Sequence, residues 1–330
     1  MGAYNRNTEG LGLVHKFANQ VKNRLFLITG PTPGGLGAET AVSLAAEHPA
    51  MIILVGRSRA KAQPTIDAIK GVDANIEVKF VEAELSSLKS VRAAAQAILN
   101  DPEITKIDVV INNAAVMASP QMQTEDKLDY QLGINHLSHF VLTNKIMPKI
   151  LAAGPGSRIV NVTSSGHRFT GIRFQDPNFT EPASYKEFAS YGQAKTANIL
   201  YAVELNRRLA SRGVRAYAPT PGSVPTNLQS YVNGLGDKAM ELYEEAAWKI
   251  NGTSIAETFA RDPRKTLQQG SASLIRAAID PDLVNEEGVF IDDANLTTDP
   301  NTIKSWATDP ELAEKCWKLS EELVGEKFDI

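Results

Sequence analysis

Short apolar runs alternating with stretches of helical periodicity constrain the fold of this chain more than any other feature. The runs are "RLFLIT" (24–29), "MIILVG" (51–56), "IEVKFV" (76–81), "IDVVIN" (107–112), "RIVNVT" (158–163) and "VRAYAP" (214–219). Several are apolar almost without interruption, the pattern of parallel strands covered on both faces. Helical stretches lie between them, for example "SLKSVRAAAQAIL" (87–99) with Ser86 or Ser87 as N-cap. A later strand is expected in "GVFIDD" (288–293). The alternation predicts one α/β domain of doubly wound, Rossmann type. Its parallel seven-stranded sheet carries helices on both faces and binds ligands at the carboxyl ends of its strands. Within residues 1–330, 1–23 read as an N-terminal extension and 222–268 as a polar, helical substrate-loop insertion containing Tyr243 and Trp248. Residues 295–330 form a tail whose "ELAEKCWKLSEELV" is amphipathic.

Composition removes several function classes. A formal net charge of -4 leaves no basic footprint for nucleic acid or an anionic membrane surface. No apolar run approaches the ~20 residues of a membrane span. The single Cys316 excludes an intramolecular disulfide and a cysteine-based zinc cluster, which fits a reducing, cytoplasmic setting. Arg6, Lys16, Lys22 and Arg24 against Glu9 make a weak organelle presequence the less favoured reading of the N-terminus.

The stretch "LITGPTPGGLGAET" (27–40) places Gly30, Gly35 and Gly37 where a strand ends and a helix begins. Three glycines at such a junction allow a tight turn, a close backbone approach to a pyrophosphate and close helix–strand packing. The helix from about Ala38 would then offer free N–H groups and its positive dipole end to the phosphates. Pro31 and Pro33 fix φ and remove donors, so the loop is expected to stay open by geometry and not by internal hydrogen bonds, with Thr32 presenting its hydroxyl. A glycine-rich turn with no ligand is the bland alternative. The absence of Gly-Lys-Ser/Thr excludes a nucleoside-triphosphate loop, leaving a dinucleotide. At the end of the second strand, where an acid binds the 2′-OH of NAD and an arginine the 2′-phosphate of NADP, stands Arg57, with Arg59 and Lys61 nearby. NADP(H) is therefore favoured over NAD(H), against a solvated basic turn.

"YGQAK" puts Tyr191 and Lys195 four residues apart in a predicted helix over 185–212, one turn apart on one face. A phenol near a cation is easier to ionise. Alone the pair would mean little, since such spacing is common on surface helices. Here "IVNVTSSGH" ends a strand with Ser164 and Ser165, "VINNAAVM" closes the fourth strand, "INHLSHF" supplies Asn135, and "TPGSVPTNL" follows the sixth strand.

Together these residues resemble the short-chain dehydrogenase/reductase superfamily, from about Arg24 to the C-terminus. "GINHLSHFVLT" and "YGQAKTANILYAVELNRRL" look like its retinol dehydrogenase and WW-domain oxidoreductase branch, and closer still like fungal relatives. The resemblance implies Tyr191 as general acid/base and Lys195 as the group that depresses its pKa and holds the nicotinamide ribose. Ser164, chosen over Ser165, would hydrogen-bond the substrate oxygen, and Asn135 would anchor a proton-relaying water chain. It implies NADP(H) contacts by Gly30, Thr32, Gly35, Leu36, Gly37, Arg57, Glu84, Leu85, Asn113, Ala114, Tyr191, Lys195, Pro221, Gly222, Val224 and Thr226. Four positions depart from the family pattern: the glycine loop is one residue longer, Gly34 being the extra one; Ala115 replaces a glycine; Glu84 replaces an aspartate; Thr220 replaces a histidine.

The implied activity is an NADPH-dependent carbonyl reductase, reversible as an alcohol dehydrogenase, on a small-molecule ketone, aldehyde or secondary alcohol, with a homodimer as the candidate assembly. A catalytically idle NADP-binding regulator needs only the glycine loop, and a dehydratase or epimerase often lacks the full Asn–Ser–Tyr–Lys set. No metal site is expected: His136 and His139 lack a third ligand and read as packing or capping groups. His167 reads as a substrate-mouth or solvated loop residue, and Tyr243 and Trp248 as packing more than as a substrate cover.

Overall fold

The computed structural model describes residues 4–330 apart from Pro182, Asp237 and Asp262. In it the apolar runs pair into one sheet, built from β1 (Leu25–Thr29), β2 (Met51–Gly56), β3 (Glu77–Glu82), β4 (Val109–Asn112), β5 (Arg158–Asn161), β6 (Arg215–Pro219), β7 (Phe290–Asp292) and β8 (Asn295–Leu296). The spatial order is β3-β2-β1-β4-β5-β6-β7-β8. The first seven strands are parallel, as expected. The unanticipated eighth is a two-residue antiparallel edge, paired as Ile291↔Leu296 and Asp292↔Asn295. Its turn, Asp293 and Ala294, has positive φ at both residues (47° and 57°) and lacks the glycine that normally announces such a hairpin.

Unbroken apolar runs form these strands because each strand feeds two cores, one per face. In β1, Leu25 and Leu27 join the core beneath the helices Leu88–Asn100 and Glu187–Leu209. Phe26 and Ile28 join the opposite core, beneath Leu36–Ala45, Arg59–Val72 and Leu267–Ile279. The N-terminal stretch belongs to this second core: helix Gly10–Lys16 buries Leu13 and Val14, and Val21 follows them. The amphipathic tail becomes helix Pro310–Val324, capped by Asp309, with Cys316 and Trp317 buried in the first core.

Ser87 does stand at the N-cap of helix Leu88–Asn100, but its hydroxyl does not cap it; Asp126 Oδ2 accepts from the Leu88 N–H instead, at 2.8 Å. The long helix expected over 185–212 runs Glu187–Leu209 and closes with a 3-10 turn, Ala210–Arg212. Winding reverses at β1, whose neighbours are β2 and β4. A crevice must therefore open above the carboxyl ends of these strands, where the glycine loop leaves β1.

Candidate active site

Loops leaving β4 and β5 meet the helix Glu187–Leu209 at a close approach set by glycine. A Cβ on Gly166, in the turn after β5, would lie 2.8 Å from Tyr191 Cε1 and 3.4 Å from Ser164 Oγ. The absent side chain leaves the tyrosine ring lying on the turn that carries the serine. Ser164 Oγ accepts from the Gly166 N–H at 3.0 Å, which orients the hydroxyl. Tyr191 and Lys195 are both buried, 3% and 2% exposed, with the ammonium 5.6 Å from the phenol ring centroid. Lys195 Nζ donates to the Val162 carbonyl at 3.0 Å.

Asn135 sits in the middle of a π-helical turn, Gly133–Leu137, a distortion frequent at functional sites. Its side chain clasps the backbone of Val116 both ways, accepting from the N–H and donating to the carbonyl, each at 2.8 Å. Its own carbonyl accepts from Asn198 Nδ2 at 3.1 Å, and the same amide nitrogen donates to Val162 O at 3.1 Å. The structure thus brings Asn135, Ser164, Tyr191 and Lys195 into one neighbourhood, linked through Gly166, Val162 and Asn198. Asn198 was not anticipated, although it follows Tyr191 and Lys195 at i+7 and i+3 on one helix face. Gly166 escaped too, because a close packing partner leaves no signal in a loop.

Burial dominates the electrostatics. It pushes the Tyr191 phenol up to about 12 against a small downward pull from Ser164. It pulls the Lys195 ammonium down to about 7. Burial and the Ser164 hydroxyl are the causes at the phenol, with no lowering by Lys195 among them, and at about 12 Tyr191 stays protonated at neutral pH. Because the folded pKa of Lys195 lies below its unfolded value, its stability contribution is fully present above the unfolded pKa and is lost as pH falls through about 7. Lys195→Met should abolish activity, raise the melting temperature near neutral pH and flatten the rise of stability with pH. Melting curves across pH check this, and identical slopes in both proteins would contradict it.

Gly30, Gly37, Asn113 and Ala114 among the cofactor candidates meet at the carboxyl end of β1. Helix Leu36–Ala45 starts from Gly35 with no side-chain cap, so its first N–H groups are left for a ligand. A Cβ on Gly37 would fall 2.5 Å from the Gly30 carbonyl oxygen and 2.6 Å from Asn113 Nδ2, so helix and loop meet at backbone distance. The residues present fit a pyrophosphate. One detail differs from expectation: the Gly35 N–H donates to Thr32 O at 3.1 Å, so the loop is closed by a hydrogen bond as well as by its prolines. Thr32 is exposed, and Gly34 has φ 75° and open space around it. Gly37→Ala should weaken nicotinamide dinucleotide binding at least tenfold and destabilise the fold by about 1–3 kcal/mol. Cofactor titration and a melting curve measure both, and unchanged affinity would contradict the cradle.

Thr29 closes β1, and its hydroxyl accepts from the N–H groups of Asn113 and Ala114, both at 2.9 Å, joining the glycine loop to the end of β4. Arg57 is exposed at the end of β2, with Nη1 3.8 Å from Glu84 Oε2. Glu84 is held in turn by the N–H and hydroxyl of Ser86, and Leu85 is buried beside it. Beyond β6, Pro221 and Gly222 are half-buried, while Leu36 and buried Val224 converge on Gly270. Thr226 is occupied as the cap of the turn Asn227–Gln229.

The remaining histidines and aromatics sort differently from expectation. His167 is buried, neither at the substrate mouth nor in solvent; its Nδ1 is 2.7 Å from Ser164 O. Burial pulls it down to about 4. Tyr243 packs on Phe188, but Trp248 is 56% exposed, its indole N–H donating to Glu244 Oε1 at 2.9 Å. Among the described residues no cluster of three or more His, Cys, Asp or Glu could hold a metal ion, and no helix is long and apolar enough to cross a membrane.

A doubly wound sheet, a glycine cradle at its switch point and a buried Tyr–Lys pair facing a serine are the marks of the short-chain dehydrogenase/reductases, and the chain belongs to that family of oxidoreductases. Residues 24–175 match the model for short chain dehydrogenase. Within the family it falls in the retinol dehydrogenase-like branch. It is 33% identical over 326 residues to retinol dehydrogenase 14 of Mus musculus, covering 95% of this chain and 87% of that protein. It is 32% identical to short-chain dehydrogenase TIC 32 A, chloroplastic, of Brassica napus, covering 92% and 89%. A solved structure of an uncharacterised protein from Mycobacterium paratuberculosis superposes with TM-score 0.65 at 29% identity, covering 94% of this chain and 96% of that one. More distant structures share the fold. A 3-oxoacyl (acyl-carrier-protein) reductase from Agrobacterium tumefaciens has NADP bound (19% identity, TM-score 0.59, covering 82% and 93%). A short chain dehydrogenase from Mycobacterium paratuberculosis is bound to NAD (18%, TM-score 0.64, covering 84% and 98%). The family binds a nicotinamide cofactor and acts on small molecules.

Proposed function

We propose that the chain is an NADPH-dependent carbonyl reductase, reversible as an alcohol dehydrogenase. The observation that carries this reading is the setting of Tyr191: its ring belongs to an apolar cluster with Met117, Phe169, Phe188 and Val232, with Ser164 on one side and Lys195 behind. A carbonyl group entering that cluster would meet the two hydroxyls as hydrogen-bond donors, and an apolar body would meet the cluster. Nicotinamide, when bound, supplies or takes the hydride at the carbonyl carbon. Tyr191 gives its phenolic proton to the oxygen as charge develops there, Ser164 stabilises that charge, and the ammonium of Lys195 returns a proton to the phenolate. Asn135, through its carbonyl and Asn198, orders the polar groups behind Lys195.

Arg57, exposed and basic, supports NADP(H) over NAD(H), with Glu84 as a local counterweight. Residues 222–268, through helices Ser230–Asn233 and Lys238–Asn251, supply part of the apolar cluster and are assigned as the substrate loop. Buried Cys316, the chain's single cysteine, supports a reducing, cytoplasmic setting. NADPH oxidation against apolar and polar ketones, aldehydes and quinones tests the reading: turnover with apolar carbonyls is expected, and none with any carbonyl would overturn it.

A further inference from the structure

We infer that His139 is a positioning residue: a neutral imidazole with its proton on Nδ1, tying the cofactor loop to the proton-handling side of the site. The assignment follows from counting hydrogens. A threonine hydroxyl has one hydrogen and two lone pairs. Thr29 Oγ1 spends both lone pairs on the N–H groups of Asn113 and Ala114, each at 2.9 Å. Its remaining partner, His139 Nε2 at 2.9 Å, must therefore receive the hydroxyl hydrogen. An imidazole that accepts at Nε2 carries its proton on Nδ1, and Nδ1 lies 3.2 Å from the Asn135 carbonyl, which can only accept. Donors thus run one way, from the backbone of Asn113 and Ala114 through Thr29 and His139 to Asn135 O.

That carbonyl is also where Asn198 docks, and Asn198 shares Val162 O with Lys195. A shift of the cofactor loop at Asn113 and Ala114 would thereby reach the lysine through fixed dipoles. The ring's surroundings keep it neutral. It is 2% exposed, and Lys195 and His136 are the groups facing it electrostatically, both opposing a positive charge. His136 orients the other end of Asn198, its Nδ1 being 3.2 Å from Asn198 Oδ1. Neither histidine was anticipated to do more than pack or cap.

The inference rests on the proposed dehydrogenase reading for its consequence but not for its first test. Nitrogen-15 spectra of the histidine-labelled full chain, assigned with His139→Gln and His139→Asn, should show His139 as the Nδ1–H tautomer between about pH 5 and 8. An Nε2–H tautomer or an imidazolium overturns the inference whether or not the chain has activity. The second arm uses isosteres. Asparagine places its amide nitrogen near the Nδ1 position and keeps the donor to Asn135 O. Glutamine reaches toward Thr29 and loses that donor. His139→Gln is expected to lower kcat about tenfold with little change in cofactor Kd, whereas His139→Asn stays within about threefold of the wild type. Equal kcat in all three proteins, or a loss seen equally in both variants, removes the positioning role.

Discussion

Tyr191→Phe should lower turnover by about 10²–10⁴-fold while leaving dinucleotide affinity nearly unchanged. The phenyl ring fills the same space, so Gly166 and the apolar cluster around Phe188 keep their partner. What is lost is one O–H. That group is firmly protonated at neutral pH, because burial holds the phenol at about 12. Such an acid suits carbonyl reduction. The reverse reaction needs the phenolate, so alcohol oxidation should rise with pH well beyond the range in which reduction is already fast. A rate for Tyr191→Phe within a few-fold of wild type would remove Tyr191 from the mechanism.

Arg57→Asp should reverse the cofactor preference. On the proposed reading, backbone N–H groups at the glycine cradle would hold the pyrophosphate and could not tell NADPH from NADH, so the choice would fall to the end of β2. The Arg57 guanidinium is 65% exposed there and paired only loosely with Glu84, at 3.8 Å. It can turn to a 2′-phosphate and form charge-assisted hydrogen bonds, worth roughly 1.5–3 kcal/mol each at best and less in this exposed setting. An aspartate would accept from the ribose 2′-OH and repel the phosphate, leaving two carboxylates, Asp at 57 and Glu84, side by side. NADPH affinity is expected to fall at least tenfold and NADH affinity to rise. Dissociation constants for both cofactors on both proteins decide it; equal or tighter NADH binding by the wild type would show that Glu84 and not Arg57 governs the pocket.

Much of the fold was legible because each strand of a parallel sheet must be apolar on both faces, and β1 with Leu25 and Leu27 to one core and Phe26 and Ile28 to the other writes that requirement as an unbroken run. The eighth strand was not legible: two residues carry no periodicity, and its turn uses Asp293 and Ala294 in place of glycine. Tyr191 and Lys195 stood out only together with the strand-end motifs, because their spacing alone is common, and Asn198 lies on the same helix face without any motif to mark it. His167 could not be placed, since only the tertiary fold brings the C-terminal segment over it, with the Lys304 N–H 3.4 Å from its Nε2. The effect of burial on Tyr191 and Lys195 was not legible for a related reason. A nearby lysine is visible in sequence, but the depth of burial that shifts both groups is not.

The most direct measurement follows the hydride itself. NADPH carrying deuterium at both C4 positions of the nicotinamide is mixed with the full chain and an apolar ketone, and the alcohol product is followed over time by mass spectrometry. One deuterium on the carbinol carbon in the wild type, appearing about 10²–10⁴-fold more slowly in Tyr191→Phe, is the expected result. NADPH that binds tightly yet transfers no deuterium to any carbonyl, or transfers it equally well without the Tyr191 hydroxyl, would contradict the account.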